Sequence, residues 1–267
     1  MSILGDAGPM DARLAQAPIV ARFARAVRSV TDFVAFYAGG SLAMGDFRPG
    51  ISDLDLAAVL GRPLDDKARE HLRELHETTQ RDEPSAAKLH CVYLPFDDIA
   101  DRRIMHQPDV ASLRTPHLTW AHGELFRRPF TGVARAELLQ AGITVFGPPP
   151  AELFPPIDRA LLKAAARAEL SGYWSGAVRK PWLWFHDVYV DLGLLTLARV
   201  DATLADGRLI TKREALTRLD RFGVGEDLVR EIAARRDGED IALTPIQRAR
   251  RAAIARRLVS RGIRALT

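Results

Sequence analysis

Short apolar runs alternate with amphipathic stretches through the first half of the chain. FVAFYA (33–38), LDLAAVL (54–60) and LHCVYL (89–94) read as strands, and residues 64–79 read as a helix between the last two. A helix over 133–141 and a strand over 143–146 follow. This order predicts an α/β domain with a short mixed sheet. The run Gly147-Pro148-Pro149-Pro150, followed by Pro155-Pro156, breaks both periodicities and reads as a linker, because proline fixes φ and lacks the N–H that a helix or sheet needs. Beyond it the spacing predicts only helices, over 157–173, 183–204, 212–222, 226–236 and 246–261. Two of them start on capping signals. Thr211-Lys212-Arg213-Glu214 is a capping box, and Thr244-Pro245-Ile246-Gln247 places proline at the first helical position. The expected organisation is an α/β (α+β) domain over 1–150 and an all-α helical bundle over 157–267.

Composition narrows this picture without changing it. The chain has 267 residues, 47% hydrophobic and 27% charged, enough for two modest domains with their own cores. No run reaches the length of a membrane span, and the first residues have no apolar stretch behind a basic start. Cys91 is the single cysteine, which rules out an internal disulfide and fits a reducing, cytoplasmic setting. The net charge of +4 is too mild to imply nucleic acid. The excess sits at the end, where 247–267 carries Arg248, Arg250, Arg251, Arg256, Arg257, Arg261 and Arg264 with no acid. That pattern reads first as the solvated basic face of a last helix, and second as part of a phosphate or RNA site.

The candidate chemistry lies in Ala38-Gly39-Gly40-Ser41-Leu42-Ala43 and the following Ser52-Asp53-Leu54-Asp55-Leu56. A strand ends in Gly-Gly-Ser, a short helix follows, and the next strand opens on Asp-Leu-Asp. Glycine lets a backbone approach a ligand closely. Ser41 sits at the expected helix start, where N–H groups and a hydroxyl can meet an anion. Strand alternation turns Asp53 and Asp55 to one face and Leu54 to the other. Two carboxylates this close repel unless a cation joins them. Mg²⁺ takes a few carboxylate oxygens together with substrate phosphates. The segment therefore reads as a cradle for Mg²⁺ and a nucleoside triphosphate.

This arrangement resembles the DNA polymerase β superfamily of nucleotidyltransferases, whose signature is Gly-Ser, a spacer, then Asp-hydrophobic-Asp, matched by Gly40, Ser41, Asp53 and Asp55. Within it the chain resembles the bacterial aminoglycoside adenylyltransferases of the streptomycin/spectinomycin type. LLQAGITVFGPPPAELF (138–154) is similar to their domain junction, and LLTLARVDATLADGRLITKREA (194–215) to their helix and turn that face ATP. The resemblance implies ATP as co-substrate, transfer of an adenylyl group to a hydroxyl of a small acceptor, and an active site between two domains. It implies phosphate contacts from Arg199 and Lys212. Arg199 stands in the apolar run LLTLARV, where an anionic ligand or a partner such as Asp201 would compensate its charge. The family's third acid falls on His90 here. A neutral imidazole can serve as a general base, and Glu124 is an alternative place for the acid.

The acceptor side is read from spacing alone. Trp184, Asp187 and Asp191 stand at i, i+3 and i+7, so one helical face would offer an aromatic and two acids to a polycationic acceptor. The same spacing fits an amphipathic helix whose acids meet arginines elsewhere. His71, His76, His106, His117 and His122 show no zinc-ligand spacing. Two other functions fit the motif: nucleotide binding without catalysis, and modification of a protein partner of the antitoxin type.

Overall fold

The computed structural model describes residues 11–100 and 113–267. Residues 1–10 and His106, both read above, lie outside these. Contacts divide the chain between Ile157 and Asp158 into two compact units.

The first unit is built on a six-stranded mixed sheet: β1 (Phe33–Ala38), β2 (Leu54–Leu60), β3 (Leu89–Pro95), β4 (Leu113–Ala121), β5 (Glu124–Phe130) and β6 (Ile143–Phe146). The spatial order is β5-β4-β3-β2-β1-β6. Only β2 and β3 are parallel. Their connection is the crossover that a parallel pair requires, and it carries the helix Asp66–Asp82 (α3 below). Alternation along β2 and β3 sorts the side chains to two faces. Leu54, Leu56, Ala58, Leu60, Leu89, Cys91 and Tyr93 join one buried cluster. Ala57, Val59, Val92 and Leu94 join the other. The first face is covered by α1 (Ile19–Val30). Its Ile19, Val20, Phe23, Ala24 and Val27 recur at helical spacing and are buried. The four-residue helix α2 (Gly40–Ala43) follows β1, and α3 lays Leu72 and His76 on the same face as α1. After β3 come α4 (Phe96–Ala100) and, beyond the β4–β5 hairpin, α5 (Gly132–Ala141), whose Leu138 packs on the second face.

The hairpin and α1 go beyond the sequence reading. Pro116 and Pro129 interrupt β4 and β5, and a strand with proline gives up a ladder donor, so periodicity alone does not reveal the pair. The register slips between Leu113 and Pro116, an irregularity that admits the proline.

The second unit is entirely helical among its described elements. After α6 (Pro150–Leu153), which ends the first unit, come α7 (Arg159–Glu169), α8 (Ser175–Val178), α9 (Asp187–Asp206), α10 (Lys212–Leu216), α11 (Glu226–Arg236) and α12 (Pro245–Leu266). Their inner faces share one core around Leu194, Leu197, Ala198, Ile232, Ala255 and Val259. Boundaries move from those expected. The helix expected over 157–173 passes at Leu170 into a π-turn ending at Trp174. The helix expected over 183–204 starts only at Asp187, because Pro181–Phe185 forms a 3₁₀ turn and His186 is extended. The stretch 212–222 splits into α10 and a 3₁₀ turn, Leu219–Phe222. The Thr211 capping box is made, and Thr244 with Gln247 forms a second one ahead of Pro245. No helix among the described residues is long and apolar enough to cross a membrane.

Candidate active site

The site is assembled where β1 ends beside the start of β2. The Gly39 N–H donates to the Asp55 carbonyl oxygen at 2.7 Å, which ties the two strands at this level. Gly40 then takes φ +55°, a left-handed conformation that glycine adopts without penalty. A Cβ at Gly40 would stand 2.1 Å from Asp55 Oδ2 and 2.9 Å from its Cγ. The backbone therefore passes against the carboxylate with no room for a side chain. Ser41 follows in α2. The far end of α2 is anchored: Arg13 donates to the Ala43 carbonyl and, at 3.2 Å, to the Ala141 carbonyl at the end of α5. Asp11 holds the Arg13 guanidinium in turn at 2.6 Å, and keeps its own carboxyl below the usual range through that hydrogen bond. This clamp has no signature in the sequence, since its partners are backbone carbonyls far along the chain.

Leu54 is buried, while Asp53 and Asp55 on either side of it are exposed. Asp55 lies within β2 on the face opposite Leu54, and Asp53 immediately precedes the strand. The start of β2 is fixed by Leu54 N–H on the Lys88 carbonyl (3.0 Å) and Lys88 Nζ on the Ile51 carbonyl (2.7 Å). Parallel register sets His90 directly opposite Asp55, with Nδ1 3.7 Å from Oδ1. The His90 side chain is 13% exposed and the Asp55 side chain 49%. Glu124 lies on the same face, because Ala121 pairs with it and Thr119 pairs with Val92. It stands two strands beyond His90, roughly 10 Å away at the usual strand spacing. His90, not Glu124, is the neighbour of Asp55.

The β4–β5 turn adds a residue that spacing did not single out. Ala121 pairs with Glu124, leaving His122 and Gly123 as a two-residue loop with φ +55° and +81°. Such a loop favours Asn or Gly at its first position, since an ordinary side chain there costs roughly 1–2 kcal/mol. The His122 ring meets the His90 ring edge to face, with centroids 5.0 Å apart and planes at 68°.

Arg199 reaches the turn that precedes Lys212 within the second unit. Arg199 Nε donates to the Ile210 carbonyl at 3.0 Å, two residues before Lys212, which opens α10 behind the Thr211 cap. Asp201, weighed above as a partner for Arg199, carries Arg221 at 3.1 Å and Arg218 at 3.5 Å.

The acceptor trio is corrected by its placement. Trp184 is wholly buried and its indole N–H donates to the Ala177 carbonyl at 3.1 Å, so it has no open face on which a ligand could stack. It also belongs to the 3₁₀ turn and not to α9, which breaks the assumed common face. Asp191 forms a bidentate pair with Arg235 at 2.6 and 2.8 Å, and Asp187 meets Arg251 and Arg248. Glu231 joins Arg235 to Arg251. The two acids therefore belong to an arginine network of α9, α11 and α12, with Asp191 largely buried in it and Asp187 at its rim. The arginine run of the last helix divides accordingly. Arg251 is buried in that network, and Arg256 donates to the Val178 carbonyl at 2.7 Å.

No protein-family model matches the chain, and no curated protein matches it in sequence. Among solved structures, the chain is similar to the spectinomycin adenyltransferase AAD(9) of Enterococcus faecialis, crystallised with ATP and spectinomycin. The TM-score is 0.61 at 13% identity, over 94% of this chain and 100% of that one. At that identity the likeness speaks for the fold: a mixed-sheet, nucleotidyltransferase-like domain followed by a helical region.

Proposed function

We propose that the protein is an adenylyltransferase that moves the AMP portion of ATP onto a hydroxyl of a small polyhydroxylated acceptor of the aminoglycoside class. The observation that carries this reading is the close approach of the Gly40 backbone to the Asp55 carboxylate, with His90 beside Asp55 on the neighbouring strand. The fold it shares with an adenyltransferase crystallised with ATP and spectinomycin supports both the donor and the acceptor class.

The residues fit Mg²⁺. Asp53 and Asp55 offer two exposed carboxylates, and among the described residues no group of three or more His, Cys, Asp or Glu side chains could hold a metal by itself. The remaining positions would fall to triphosphate oxygens and water, the usual arrangement for this ion. Bound there, Mg²⁺ would supply charge against the developing negative oxygens. The chain's own groups do the rest. Gly40 gives the triphosphate access to the carboxylates, and Ser41 hydrogen-bonds it. His90 accepts the proton of the acceptor hydroxyl as that oxygen bonds to the α-phosphorus. The bond from the α-phosphorus to the bridging oxygen breaks, and pyrophosphate leaves with the electron pair.

The deciding experiment incubates the full chain with ATP, MgCl₂ and a panel of aminoglycosides and aminocyclitols, and reads added adenylyl mass by mass spectrometry. Product with any member, together with pyrophosphate release, is the expected result. ATP binding with no product across the panel would leave a nucleotide-binding protein and defeat the proposal.

The reading also assigns Arg199 and Lys212 to the triphosphate. Each charge-assisted contact contributes about 1.5–3 kcal/mol. Arg199→Ala and Lys212→Ala should then weaken ATP binding by roughly tenfold to a hundredfold and leave adenosine binding unchanged. Titration calorimetry with both ligands tells the outcomes apart. Equal losses for ATP and adenosine would mean that the helical unit itself had been damaged.

A further inference from the structure

We propose that His122 is a positioning residue that holds the His90 imidazole beside Asp55, an inference that rests on the transfer reading above. Two independent observations meet at this residue. The first is its backbone. Among the described residues, His122 is the non-glycine position with positive φ, at +55°. A two-residue hairpin loop needs that conformation, but it does not need an imidazole, and Asn or Gly would meet the requirement better. The turn leaves the imidazole without a role in the backbone, so its side chain is free to serve elsewhere.

The second observation is where that side chain goes. The His122 residue is exposed at the tip of the hairpin, yet its ring turns back onto His90 at 5.0 Å, edge to face. His90 stands with Asp55 on one side, Nδ1 to Oδ1 3.7 Å, and with His122 against its ring. The Asp55 contact is longer than a hydrogen bond and does not by itself fix the ring's rotation. The His122 ring supplies the missing restraint from the β4–β5 tip. An Asn or Gly at 122 would relax the turn and release the ring. Backbone comfort and site geometry therefore pull in opposite directions at this one position, and that gives the proposal its test.

His122→Asn and His122→Gly should raise the urea midpoint or leave it unchanged, and should leave ATP binding as it is in the parent chain. The His90 ring signals, assigned by comparison with His90→Gln, should shift in ligand-free NMR spectra of both variants. With an acceptor identified, turnover at saturating ATP should fall by roughly tenfold to a hundredfold, the scale expected for a misplaced catalytic group. A purely structural role predicts the reverse pairing, a lower midpoint with turnover retained per folded molecule. Unchanged His90 ring signals in both variants would overturn the proposal, and so would full turnover. If the parent chain transfers to no acceptor, the functional reading fails on its own account, and the His90 ring signals alone decide the role of His122.

Discussion

Asp55→Asn and Asp53→Asn should each abolish transfer while the protein stays folded. The two carboxylates are exposed, so replacing either by its isosteric amide should leave the fold intact. What is lost is the stabilisation of charge in the transition state. A bound divalent cation contributes several kcal/mol there, which at about 1.4 kcal/mol per decade is on the order of a thousandfold in rate. Gly40→Ala should match that loss by a different route. Its Cβ would stand 2.1 Å from Asp55 Oδ2 on a backbone at φ +55°, so the carboxylate or the loop must move. Rate measurements with the acceptor found above, beside thermal melts of all three variants, check both statements. An Asp55→Asn protein with near-normal turnover would remove Asp55 from the chemistry.

The second large effect concerns stability and acid. His76 is fully buried in the first unit, stacked on Trp120 with ring centroids 4.6 Å apart, and hydrogen-bonded to the Tyr93 hydroxyl at 2.7 Å. Burial alone drives its pKa from 6.5 down to about 3. The sign follows from proton counting. Between pH 6.5 and 3 the unfolded chain holds a proton on His76 that the folded chain refuses, so stability falls as pH falls through this window. The contribution is about 1.4 kcal/mol per pH unit, or on the order of 4 kcal/mol over three units. His117 is buried too, and burial lowers its pKa in the same direction. Cys91 stays neutral throughout, because burial pushes its thiol up to about 12. His76→Phe would isolate the effect but leave the Tyr93 hydroxyl with Cys91 alone as a partner, at a cost of about 0.5–1.5 kcal/mol. The double variant His76→Phe, Tyr93→Phe removes both ends. Urea unfolding from pH 7 to pH 4 should give the double variant a clearly shallower decline than the parent. Equal slopes would mean that His76 takes up its proton in the folded state.

The sequence determined what local rules can carry. Alternation in LDLAAVL turned Asp55 away from the buried Leu54 and Leu56, because successive side chains of a strand point to opposite faces. The Thr211 box and the proline after Thr244 marked helix starts that the structure makes, because such signals are satisfied within four residues. Glu226–Arg236 was legible to the residue. Only tertiary structure decided which distant groups meet. Whether His90 would face Asp55 depended on the β2–β3 register, which a one-residue slip would have reversed. The β4–β5 hairpin stayed hidden behind Pro116 and Pro129, and with it the meeting of His122 and His90 across the sheet. Arg13 reaches carbonyls at Ala43 and Ala141 that no spacing rule connects to it. Trp184, Asp187 and Asp191 show the same limit from the other side. Their spacing suited a ligand face and a packed face equally, and the choice fell to arginines of α11 and α12 and to the Ala177 carbonyl. A sequence fixes the direction of a side chain relative to its own backbone, but its partner comes from whatever the fold brings opposite, and burial and charge then decide between ligand and core.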